Sequence, residues 1–188
     1  MYVVNFFGGP GSGKSTTAAG LFYKLKLTKK VKVELVTEYP KDLVYANQLH
    51  TMFENQEVLF SEQNYRVQRL IDHVDWAIVD SPILLSAVYP YVVREQHKVR
   101  DWPALPEFVA FVKAQFNAYN NINIWLTRPD KYDEYGRHQS LEQAKTIDVA
   151  IKTLLDNEQI SYYSFKNHEG VVDDVIDLLS CNHGLNLL

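Results

Sequence analysis

The stretch "NFFGGPGSGKSTTAAGL", Asn5 to Leu21, limits what this chain can fold into more than any other. An apolar β-like run, Tyr2–Phe7, leads into Gly8, Gly9, Pro10, Gly11, Ser12, Gly13, Lys14 and Ser15, with Thr16 next. Gly8, Gly13, Lys14 and Ser15 have the spacing of a phosphate-binding loop. Glycines there permit backbone conformations closed to other residues and let phosphate oxygens reach the amides. Successive N–H groups then form an anion nest, and a helix opening at Lys14 adds its partial positive charge. Lys14 is placed to reach the β- and γ-phosphates, and the Ser15 hydroxyl to ligate Mg²⁺. A plain glycine-rich turn has no need of a lysine and a hydroxyl at these offsets. The expected occupant, held by Gly8 to Thr16, is a nucleoside triphosphate.

Downstream, short β-branched runs alternate with longer helical stretches. Strands are predicted over Tyr2–Phe7, Val31–Thr37, Trp76–Val79, Ile122–Thr127 and Ile160–Phe165. Helices are predicted over Lys14–Leu27, Asp42–Asp72 (broken), Ile83–Gln96, Glu107–Tyr119, Ser140–Asn157 and Val171–Leu179. This alternation predicts an α/β fold: a five-stranded parallel sheet between two helical layers, in a single domain over residues 1–188. The strands are mostly apolar along their length, as burial on both faces requires. Ligands of such sheets collect at the carboxyl ends of the strands.

Two acids stand at those ends. "DWAIVDSP" closes the third strand on Asp80, placed to serve the metal or to accept a substrate proton. Asp80 is alternatively a helix cap, as is Ser81 ahead of Pro82. "VELVTEYP" closes the second strand on Glu38, from where a carboxylate can orient and deprotonate an attacking hydroxyl. A solvated loop glutamate is the plainer alternative. After the fourth strand, "TRPDKYDEYGRHQS" carries Arg128, Lys131, Arg137 and His138 among the acids Asp130, Asp133 and Glu134. A lid over about residues 128–140 is expected, with Arg128 and Arg137 neutralising phosphate charge.

On the acceptor side, "LFSEQNYRVQRLIDH" brings Gln63, Arg66 and Arg69 to one helix face by their three-residue spacing. Glutamine can read a base edge through paired hydrogen bonds. Tyr39, Phe53, Phe60, Tyr65 and Tyr89 are ring candidates for stacking on a base, although most such rings are core. The run Arg94, His97, Lys98, Arg100 and Trp102 suits a nucleic-acid backbone or simply a solvated helix end.

Composition narrows the partners. The 188 residues carry a net charge of −4, so contact with nucleic acid must be local. One cysteine, Cys181, excludes an internal disulfide and a cysteine-built metal site. No run reaches the ~18 apolar residues of a membrane span, and the first residues lack the pattern of a signal peptide. A cytosolic location is expected.

The chain resembles the phosphate-loop kinases of the nucleoside and nucleotide kinase group. The resemblance rests on "GGPGSGKST", "TEYP", "EQNYRVQR", "VDSP" and the arginine segment. It implies a sheet of order 2-3-1-4-5, a base at Glu38, a nucleobase-reading helix at Gln63 and Arg66, and ATP with Mg²⁺ as cofactors. Ser81 stands where deoxynucleoside kinases carry an arginine. The "YGR" of the lid also resembles the AAA-type kinase domains found with nicotinamide riboside kinases. In whole-chain layout the sequence looks still more like small phage-encoded members that phosphorylate 5-hydroxymethyluracil within DNA. The expected activity is transfer of the γ-phosphate of ATP to a hydroxyl, with that modified base as the preferred acceptor and a free nucleoside or nucleotide as the alternative. A nucleotide-driven switch or motor is the reading from another class, and the chain lacks an "NKxD" guanine-reading stretch.

Overall fold

In the computed structural model, residues 1–48, 55–92, 105–129 and 140–187 are described. Five parallel strands form one sheet in the order β2-β3-β1-β4-β5, as expected. They are β1 (Tyr2–Phe7), β2 (Val33–Val36), β3 (Trp76–Val79), β4 (Asn120–Thr127) and β5 (Tyr163–Lys166). The helices between and after them are α1 (Lys14–Thr28), α2 (Tyr39–Tyr45), α3 (Gln56–Gln68), α4 (Leu105–Asn117), α5 (Leu141–Asn157) and α6 (Val171–His183).

Strand side chains alternate between faces, and each face of the sheet has its own core. Val4, Phe6, Trp76, Ile78, Ile122 and Ile124 pack with Ala18, Leu21 and Leu25 of α1 and with Val171, Val175 and Leu179 of α6. Phe7 and Trp125 look the other way, onto Phe60 of α3, Phe108, Val112 and Phe116 of α4, and Ile147, Ile151 and Leu155 of α5. Val3, Val36, Ala77 and Val79 extend that second core with Val67 of α3. The fold is therefore helix layer, sheet, helix layer. From β1 the chain moves to one side of the sheet, through β2 and β3. From β3 it crosses to the other side and builds β4 and β5. The order reverses between β1 and β3, where a doubly wound sheet opens a crevice.

Three spans differ from expectation. The predicted helix over Ile83–Gln96 begins instead as a 3-10 turn, Ile83–Ala87, that ends at Val88. Pro90 is the physical reason: it has no N–H to bond back to the turn before it, and it suits the first turn of a new helix. The 3-10 turn is preceded by Pro82 at its cap, so neither Asp80 nor Ser81 caps it. The broken Asp42–Asp72 stretch resolves into α2 and α3, with α2 starting earlier, at Tyr39, because Pro40 sets its first turn. β5 begins three residues later than predicted and ends one later, and most of its side chains are exposed because it is an edge strand.

Candidate functional site

β1 delivers the loop Gly8–Gly13 into α1. Gly8 and Gly13 have φ of 140° and 92°, a region costly for side-chain-bearing residues. A Cβ on Gly8 would lie 2.5 Å from Ser12 Oγ, and one on Gly13 would collide with Asn167 Nδ2. Both positions therefore require glycine on two counts, conformation and space. Thr17, one turn into α1, bonds back to the Gly13 carbonyl at 2.9 Å. Ser15 and Thr16 are exposed at the open N-terminus of α1, whose first N–H groups have no helical acceptors.

The Lys14 ammonium donates to the Gly8 carbonyl at 2.7 Å and the Gly9 carbonyl at 3.1 Å, folding back over its own loop. Burial pulls its pKa below the ordinary lysine value. The charges of Glu38, Asp80 and Asp148 oppose that shift, and Arg128 adds to it. The acids that follow β2 and β3 thus act on the lysine that follows β1. Asp80 is 5% exposed, at the end of β3, and its N–H continues the ladder to the Val36 carbonyl at 3.1 Å. Its Oδ1 is buried without a hydrogen-bond partner, as is Ser12 Oγ. A buried carboxylate oxygen without a donor is a hard ligand suited to Mg²⁺, so Asp80 fits the expected metal, with the exposed Ser15 hydroxyl as a second oxygen. Among the described residues no cluster of three or more His, Cys, Asp or Glu forms a metal cage. Mg²⁺ commonly keeps several waters and needs only one or two protein carboxylates.

Glu38 is half-buried at the N-cap of α2, in extended conformation, and its carboxylate does not cap that helix. The cap falls to Gln63 of α3, 4% exposed. Gln63 Oε1 accepts the Tyr39 N–H at 3.0 Å, and Nε2 donates to the Thr37 carbonyl at 3.3 Å. Arg66, one turn on, donates to Asp42 at 2.8 Å and to Glu62 at 3.0 Å. Its guanidinium lies 5.0 Å from the centre of the Tyr39 ring. Burial acts to lower the Arg66 pKa, and the bonds to Asp42 and Glu62 outweigh it. Arg69, at the C-cap of α3, is exposed.

Of the rings, Phe60 is core, edge-on to Phe108 and Phe111, and Tyr65 is 59% exposed. Tyr89 faces the site: burial raises its pKa well above the ordinary tyrosine value, and the charges of Glu38 and Asp148 push the same way. Phe53, the run from Arg94 to Trp102, and the lid residues Lys131, Arg137 and His138 lie outside the described residues.

Two site residues carry no sequence signal. Asp148, in the middle of α5, accepts the Gly9 N–H at 2.6 Å on one oxygen and Arg128 Nη2 at 2.6 Å on the other. Arg128 Nη1 donates to the Pro10 carbonyl. Arg128, expected over the phosphates, thus joins the outer shoulder of the loop to α5. Asn167, just past β5, donates from Nδ2 to the Ser12 carbonyl at 2.8 Å. "AKTIDVAIK" reads as an ordinary amphipathic helix, and only the fold shows which of its charges meets the loop.

The chain belongs to a family of AAA domains, whose model matches residues 3–170. No curated protein sequence matches it. Among solved structures, the chain is similar to deoxyadenosine kinase from M. mycoides with bound dATP, at 17% identity and a TM-score of 0.69. That alignment covers 96% of this chain and 100% of the other. The same kinase with bound dCTP aligns at 16% identity and a TM-score of 0.65, over 95% and 98% of the two chains. These likenesses establish a common fold. Among the described residues no helix is long and apolar enough to cross a membrane.

Proposed function

We propose that this protein is an ATP-dependent kinase that transfers the γ-phosphate to a hydroxyl of a free nucleoside or nucleotide. The observation that carries the proposal is the convergence of Glu38 and Asp80, from two neighbouring strand ends, on the charge of Lys14. The likeness in fold to a deoxyadenosine kinase supports the choice of acceptor class.

In this reading the amides from Gly11 to Thr16 hold the triphosphate, and Lys14 swings from the Gly8 and Gly9 carbonyls to the β- and γ-phosphates. Mg²⁺, when bound, draws negative charge from the phosphoryl oxygens, and Ser15 and Asp80 are the ligands offered to it. Glu38 accepts the proton of the acceptor hydroxyl as its oxygen bonds to the γ-phosphorus and the bond to the β-phosphate oxygen breaks. Tyr39, Arg66 and Arg69 form the wall beside which the acceptor binds, and Gln63 stands behind it. Arg137 supplies lid charge, and Arg128 holds the loop shoulder. One domain over residues 1–188 and a cytoplasmic location complete the proposal.

The test supplies labelled ATP and Mg²⁺ with a panel of nucleosides, nucleoside monophosphates, plain DNA and 5-hydroxymethyluracil DNA. Label is expected on a free nucleoside or monophosphate. Label on the modified DNA alone would move the acceptor into the duplex. Lys14→Ala is expected to abolish transfer, and Glu38→Gln to lower turnover by about 10²–10⁴-fold. Near-normal turnover in both Glu38→Gln and Asp80→Asn would refute the assignment.

A further inference from the structure

We propose that Gln63 is a positioning residue that holds Glu38 in its working orientation, rather than a reader of the acceptor's base. The inference rests on the reading of Glu38 as the proton acceptor.

A glutamine amide offers one carbonyl and two N–H donors. Gln63 spends its carbonyl on the Tyr39 N–H and one donor on the Thr37 carbonyl. These two groups belong to the two peptide planes that flank the Glu38 Cα. Fixing both planes fixes Glu38 φ and ψ, at −71° and 117°, and so sets the direction in which its side chain leaves the backbone. The position needs such a device. The described part of β2 ends at Val36, and the last ladder bond there is Asp80 N–H to the Val36 carbonyl. Helical bonding begins only within α2, whose first N–H groups lack helical acceptors. Thr37 and Glu38 lie between the strand and the helix.

The Tyr39 N–H is the first orphan donor of α2, and Gln63, reaching from α3, satisfies it. An N-cap side chain ordinarily accepts the second or third helical N–H; the second residue here is Pro40, which has none, and the Glu38 carboxylate makes no cap bond. Gln63 is itself 4% exposed, so water competes weakly for its bonds. The next turn of α3 reinforces the brace, since Arg66 Nη1 donates to Thr37 Oγ1 at 3.4 Å while pairing with Asp42 of α2.

The experiment compares wild type, Gln63→Met, Gln63→Glu and Glu38→Gln, with ATP and Mg²⁺ and with deoxyadenosine and deoxycytidine as probes. Methionine keeps the length of the side chain and loses both bonds. Displacing a reacting group by about an ångström costs up to roughly 100-fold in rate. Gln63→Met is therefore expected to lower kcat roughly 10–100-fold, by the same factor for both nucleosides, with KM for ATP and for each nucleoside within about twofold. Hydrogen exchange at the Tyr39 amide is expected to quicken in Gln63→Met and stay slow in Gln63→Glu, which keeps the acceptor oxygen. Gln63→Glu also places a second carboxylate beside Glu38, and the acid limb of its pH–rate profile is expected to move to higher pH. A raised KM or an altered preference between the two nucleosides, at unchanged kcat, would overturn the proposal in favour of base reading. Normal kcat in Gln63→Met beside a dead Glu38→Gln would overturn the clamp and leave the kinase reading intact. Full turnover in Glu38→Gln would overturn both. Thermal melting checks folding, and if Gln63→Met is unfolded, the pH profile and Tyr39 exchange of Gln63→Glu decide the question.

Discussion

Asp148 shows how much of this site depends on single side chains far apart in sequence. Its carboxylate joins the Gly9 amide to Arg128, and Arg128 is in turn bonded to the Pro10 carbonyl. The Arg128 side chain is 10% exposed and that of Asp148 22%, so water screens the pair far less than at an open surface. Removing one partner leaves a poorly solvated charge behind. Asp148→Ala is expected to destabilise the protein by about 2–4 kcal/mol, read by denaturant unfolding. Arg128→Ala should cost a similar amount, and the double variant clearly less than the sum of the two. If the two losses simply add, the latch contributes nothing as a pair. At this scale the sequence was legible only where a residue type and its spacing carry chemistry by themselves. Lys14 after the glycines, and Glu38 and Asp80 at strand ends, belong to that class. Asp148 and Asn167 do not: each is an ordinary polar residue whose role comes from contact with a loop more than 130 residues away.

Elements were legible where periodicity and punctuation agree, and least so where polar residues are buried inside them. β4 contains three asparagines, Asn120, Asn121 and Asn123, which strand propensity disfavours. Asn5 of β1 explains the last two. Its Nδ2 donates to Asn121 Oδ1 at 2.9 Å and to Asn123 Oδ1 at 3.1 Å. Asn121 in turn donates to the Phe116 carbonyl at the end of α4, and Asn123 to the Ser161 carbonyl ahead of β5. Three amides thus tie the central strand, its neighbour and two connections together, and they fix the β1–β4 register that aims the glycine loop. Asn5→Leu keeps the branching and the number of side-chain heavy atoms and strips two acceptors of their donor. It is expected to cost about 2–4 kcal/mol, read as a lowered midpoint of thermal unfolding. An unchanged midpoint would mean that the network contributes no net stability. The helix misread over Ile83–Gln96 has the same kind of cause. Pro90 was visible, but whether a proline bends a helix or starts a new one depends on the packing around it, and Leu84, Leu85 and Ala87 are buried as a 3-10 turn.

At the scale of the molecule, alternation and burial made a parallel sheet covered on both faces legible, while its strand order rested on the resemblance to phosphate-loop kinases, because the same alternation serves other doubly wound orders. The protonation of the whole chain carries a further prediction. Burial raises Tyr89 well above the ordinary tyrosine pKa, and pushes Tyr119 up to about 12 against a lowering bond from Gln68. Between pH 10 and about 12 the unfolded chain loses these two protons while the folded chain keeps them. The unfolded state then binds fewer protons, so stability falls as pH rises through that window. Unfolding free energy measured across it should decline, and Tyr119→Phe should decline less steeply. That variant also loses the bond from Tyr119 to Asn64 Oδ1, so its stability near neutral pH should be lower by about 1 kcal/mol. A slope identical to wild type would mean that Tyr119 ionises as freely folded as unfolded.

The contact from Asn167 to the Ser12 carbonyl has a bearing on how the protein is born. The glycine loop leaves a ribosome well before two of its supports, Asp148 and Asn167, which follow it by more than 130 residues. In that interval the nascent loop is a glycine-rich tether without its buttresses. Competence to grip a nucleotide is therefore expected to arrive abruptly, when β5 docks, and a ribosome stalled before Asn167 should display a chain unable to retain one.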